Sequence, residues 1–107
     1  MLTRKNEDAL VELVEEFVKS RNGFYKEHCS DKFLSGLITM YLQKPTPRNP
    51  HISFVEAMMD GDQNAAYDSA CWIFEGLLEF RCGAGGNGHH VAQNFTAFMM
   101  DRIHLIK

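Results

Sequence analysis

The sequence predicts an all-α protein: a small bundle of four main helices plus one short helix, with no sheet. Three observations predict it. Apolar residues recur at helical spacing in four separate stretches. Capping residues and glycine or proline breaks separate those stretches. No segment combines sustained apolar–polar alternation with β-branched enrichment, the pattern of a half-buried strand.

In the first helix, Leu10, Leu13, Val14, Phe17 and Val18 follow the i, i+3, i+4, i+7, i+8 template, with Val11 beside them. Asn6 is the expected N-cap, and Glu7 and Asp8 suit the positive end of the helix dipole. Gly23 is expected to close this helix in a left-handed conformation. Phe24 to Cys29 reads as a helical turn or an ordered loop. A second helix is expected from about 31 to 43, capped by Ser30, with Phe33, Leu34, Leu37, Ile38, Tyr41 and Leu42 as its stripe. Pro45, Pro47 and Pro50 then break the chain, and 44–50 should run extended.

Ser53-Phe54-Val55-Glu56 has the form of a capping box, so a short helix should run to Met59. Asp60-Gly61 ends it. Asp62 caps a long helix with Ala66, Ala70, Ile73, Phe74, Leu77 and Leu78 inside and Tyr67 and Trp72 flanking, stopping near Arg81. Gly83, Gly85, Gly86 and Gly88 follow. The last helix starts near His89 or His90 and carries Val91, Phe95, Phe98, Met99, Arg102, Ile103 and Ile106 on one stripe.

The 107 residues suit one helical domain over 1–107. A formal charge of −3 and a pI near 5.9 exclude a generally basic, nucleic-acid-coating protein. No apolar run reaches the roughly 18 residues that a membrane span needs, so no membrane association is expected. The N-terminal residues lack the apolar stretch of a secretory signal. Three widely spaced cysteines, Cys29, Cys71 and Cys82, suit a reducing cytosol. A cytoplasmic location is therefore expected, in the host cytoplasm if the protein is phage-encoded.

Several patterns invite a chemical reading. Gly83-Ala84-Gly85-Gly86-Asn87-Gly88 matches G-x-G-x-x-G, but it follows a helix and too little chain remains for a βαβ unit. Its plainer account is a connection that needs left-handed backbone angles. Cys82, His89 and His90 bracket this loop, so with Gly85 and Gly86 they form a candidate zinc or anion site. None of the usual closely spaced zinc-ligand pairs is present, and His28 or Cys29 would have to complete the set. Neither Cys29 beside His28 nor Cys82 beside Arg81 defines a nucleophile with its base, so no catalytic residue is assigned. The turn at 58–62 could belong to a helix-turn-helix. The helix after it carries Asp68, Glu75 and Glu79 and no Lys or Arg before Arg81, so phosphate would repel it.

That charge pattern is the strongest functional signal. Residues 49–80 hold six acids and no Lys or Arg, a net −6, while the flanking stretches are weakly positive. The expected function is a small non-enzymatic protein-binding regulator or inhibitor of bacterial or phage type. Glu56, Asp60, Asp62, Asp68, Glu75 and Glu79, with Trp72 as an aromatic anchor, would engage a basic partner such as a nucleic-acid-handling enzyme. No direct nucleic-acid binding and no cofactor are expected. The plainer account of these acids is helix punctuation and a solvated face. The alternative function is the metal- or anion-binding domain at Cys82–His90, with zinc as its cofactor. A homodimer is expected because the last helix presents a broad apolar face.

Overall fold

The computed structural model describes residues 4–20, 30–77 and 88–106. These form α1 (Arg4–Ser20), α2 (Asp31–Leu42), the short α3 (Phe54–Met59) and α4 (Gln63–Cys71). A π-helical segment (Trp72–Leu77) continues α4, and α5 (Gly88–Asp101) leads into a 3₁₀ turn (Ile103–Leu105). No strand is present among the described residues, and the fold is the small helical bundle the periodicity implies.

Packing follows the apolar stripes. α1 lies against α2, and α3 and α5 lie against α4; α5 also packs on the π-helical segment. Leu10, Val14, Phe17 and Val18 of α1, and Leu34, Ile38 and Leu42 of α2, are buried as their spacing predicts. The centre is aromatic. Phe95 of α5 meets Phe17 of α1 edge-on at 5.0 Å, Phe74 of the π segment at 5.2 Å and Phe54 of α3 at 5.4 Å. One side chain thus joins three other elements.

Four elements differ from their sequence-level expectation. α1 begins at Arg4, so Asn6 is a residue of its first turn rather than its cap; Arg4 and Lys5 are good helix formers and extend it backwards. Segment 44–50 is not extended. Thr46 and Asn49 exchange backbone hydrogen bonds of 3.3 and 3.0 Å, and Asn49 N also donates to Thr46 Oγ1. Pro47 occupies the second position of this four-residue turn, where its fixed φ is preset. Asn49 Nδ2 then donates to Ala65 O and ties the turn to α4.

The long helix expected from 62 onwards keeps α-geometry only to Cys71 before widening into the π segment. The final stripe is also divided. α5 stops at Asp101, and Ile103 lies in the 3₁₀ turn. Arg102 lies over the Phe98 ring at 3.9 Å and donates to Phe98 O, so its cation serves the exposed carbonyl end of the helix. Ile106 is still buried.

Gly36 sits in the middle of α2, exposed, and a Cβ there would meet nothing within 4 Å. Gly36→Ala is expected to stabilise the fold by about 0.5–1 kcal/mol, because glycine loses more backbone freedom on entering a helix. Urea denaturation should show a higher midpoint with an unchanged m-value.

Candidate functional site

The acidic span begins with a tightly determined corner. Ser53 accepts from Glu56 N at 3.1 Å, and Glu56 Oε1 accepts in return from Ser53 N at 3.3 Å, so the capping box closes the start of α3. At the other end, Gly61 N donates to Met58 O and Asp62 N to Ala57 O, the paired bonds of a Schellman motif. The motif needs a left-handed residue, and Gly61 supplies it with φ of 75°. Asp62 also starts α4, where its Oδ1 accepts from Ala65 N at 3.1 Å. One residue therefore ends one helix and begins the next.

This corner holds Glu56, Asp60 and Asp62, all exposed. Two of these carboxylates have capping duties, as the plainer account of the sequence foresaw. Asp60 has none: its backbone closes α3, and its carboxylate bonds to no described residue. No Lys or Arg among the described residues reaches ion-pair distance of the three. Asp68 is half-buried on α4.

The remaining predicted residues are placed differently. Glu75 is neutralised from outside the acidic span: Arg48 Nη1 approaches Oε2, and His89 Nδ1 approaches Oε1, both at 3.6 Å. It links the proline turn, the π segment and the start of α5 rather than standing free. Trp72 is half-buried and packs on Tyr41 of α2, ring centres 5.6 Å apart. Glu79, Cys82, Gly85 and Gly86 lie outside the described residues, as do His28 and Cys29. His89 and His90 are exposed at the start of α5 with their ring centres 3.9 Å apart. Among the described residues no three His, Cys, Asp or Glu side chains gather as a metal-ligand set.

Sequence reasoning placed Tyr67 beside the inner face and read Cys71 only as one of three separate cysteines, but did not pair them; they lie one helical turn apart on α4. The neighbouring Cys71 holds the Tyr67 phenol above its ordinary range. Burial pushes the Cys71 thiol up, and Glu75 adds to the effect, so Cys71 stays protonated and is a poor nucleophile. It also passed over a polar groove of about 290 Å³ between α4 and α5, lined by Gln63, Asn64, Tyr67, Gln93 and Thr96. The i, i+1, i+4 and i, i+3 spacings of those residues were the available signal.

The last helix does not supply the open face behind the homodimer expectation. Val91, Phe95 and Met99 are fully buried within the chain, and Phe98, Met100 and Ile103 pack against the core. The paired methionines divide: Met58 and Met99 are buried, while Met59 and Met100 are half-buried. Among the described residues no helix is long and apolar enough to cross a membrane. Comparison of the chain with protein-family models, curated proteins and solved structures produced no match.

Proposed function

We propose that the chain is a non-enzymatic protein-binding regulator or inhibitor that presents the acidic α3–α4 corner to a basic partner. The observation that carries this reading is the corner itself. Glu56, Asp60 and Asp62 are exposed, unpaired with any described Lys or Arg, and held by a capping box, a Schellman motif and an N-cap. A fixed cluster of one sign speeds encounter with an oppositely charged surface and disfavours wrong partners. Asp68 on α4 extends the same sign. A nucleic-acid-handling enzyme, with its basic groove, is the partner chemistry that best complements it.

The decisive variant is Glu56→Gln, Asp60→Asn, Asp62→Asn. Gln at position 56 can still close the capping box and Asn at position 62 can still cap α4, so charge is removed without removing the caps. Affinity capture from the native extract, read by mass spectrometry, should recover a basic protein with the parent chain, more weakly as salt rises. The triple variant should recover it at least roughly tenfold less well. Equal recovery by both proteins, with both folded by circular dichroism, removes the proposal.

A further inference from the structure

The groove between α4 and α5 lies next to the acidic corner, because Gln63 follows Asp62 directly. Its chemistry is unlike the corner's. Gln63, Asn64 and Gln93 are exposed, and their side chains hydrogen-bond to no described residue. Each side-chain amide carries a donor and an acceptor in the same plane, so it can pair with a peptide group in both directions. Thr96 is buried and donates to Ala92 O, which leaves its oxygen able to accept from a ligand. Tyr67, half-buried, contributes an aromatic wall.

Size and charge narrow the occupant. About 290 Å³ is at the small end of ligand sites, which run from roughly 300 to 1,000 Å³. It suits a short length of main chain with a side chain rather than a whole helix. No lining residue is charged. Asp62 precedes the lining residues of α4, and Asp68 lies one turn beyond Asn64. Across the seam, α5 carries no Lys or Arg from Gly88 to Asp101. Arg48, whose charge reaches Tyr67, is paired with Glu75, so the unpaired described charge beside the groove is acidic and favours cations over phosphate or carboxylate.

We propose that this groove receives an extended, Lys- or Arg-bearing peptide segment of the partner. Gln63, Asn64 and Gln93 read its main chain, and Asp62 and Asp68 meet its side chains. The inference rests on the protein-binding reading above and adds to it the form in which the partner is held. Amides supply orientation and acids supply the preference for basic sequence.

The test uses the ¹⁵N-labelled full chain and two capped heptapeptides, one alternating Lys and Ala, the other Glu and Ala. The Lys peptide should move the side-chain NH₂ signals of Gln63, Asn64 and Gln93 and the backbone amide of Thr96, and the Glu peptide should not. Gln63→Ala with Gln93→Ala should weaken the Lys peptide roughly tenfold while leaving the rest of the spectrum in place. No movement at these four residues at millimolar Lys peptide overturns the proposal, as does equal movement with both peptides. Movement confined to Glu56 and Asp60 would defeat the groove and leave the acidic corner standing. Groove binding together with undiminished partner capture by the triple-neutralised variant would defeat the corner and leave the groove standing on its amides and Asp68, without a role for Asp62.

Discussion

Phe95→Ala is expected to cost about 3–5 kcal/mol, the range for truncating a buried phenylalanine. Phe95 is fully buried and touches the rings of Phe17, Phe54 and Phe74, so the void would open where α1, α3, the π segment and α5 meet. No single neighbour can move in without leaving another contact, and the site therefore collapses poorly. Domains of this kind are stable by roughly 5–15 kcal/mol in total, so the loss takes away a large share. Urea denaturation followed by circular dichroism should show the midpoint fall sharply, or the variant already partly unfolded without urea. Phe95→Leu, which fills most of the volume, should recover a good part of the loss. A cost below about 1 kcal/mol for the alanine variant would contradict this packing.

Gly61→Ala is the second large effect, expected to cost about 1–2 kcal/mol. No neighbour lies within 4 Å of a Cβ at this position, so the cause is not crowding. The backbone at φ of 75° brings the Cβ of any L-residue too close to the adjacent carbonyl oxygen. Relaxing that angle would break both Schellman bonds, Gly61 N to Met58 O and Asp62 N to Ala57 O. Gly61→Asn should cost less than Gly61→Ala, since asparagine tolerates the left-handed region better. The loss should also be local first: amide exchange at the end of α3 should quicken before exchange in α5 does. Equal stability of the alanine and glycine proteins would show that the left-handed turn is not required.

Much of the bundle was legible because its signals are local. Ser53 with Glu56, Asp62 before Ala65, and the α1 stripe each lie within a few residues, and each is realised; the α2 stripe is realised except at Phe33, which lies in the first turn and is 57% exposed. What was not legible depends on distant parts of the chain. The π segment gives no sequence period of its own, and it lies where Trp72 meets Tyr41 and Glu75 meets Arg48. The proline-rich run looked extended because three prolines favour that form. The reciprocal Thr46–Asn49 bonds and the Asn49 bond to Ala65 decide otherwise.

The candidate site divides in the same way. That Glu56 and Asp62 cap two successive helices, with Asp60 in the turn between them, could be read from the capping pattern. That Glu75 is not one of the free acids could not be read, because its partners come from residues 48 and 89. The neutral groove was invisible for a similar reason. Gln93 and Thr96 belong to a helix whose register against α4 is set by the core, not by any motif.

The Phe17–Phe95 pair has a consequence for how the chain acquires its structure. These rings belong to the first and last α-helices, so 77 of the 107 residues lie in the loop that their contact closes. Closing so long a loop costs entropy that local helical contacts do not recover. Most helical bundles fold quickly because their contacts are near in sequence. Phe54 and Phe74 can meet Phe95 without α1, so it is the Phe17 contacts that make completion of the aromatic centre depend on a long loop.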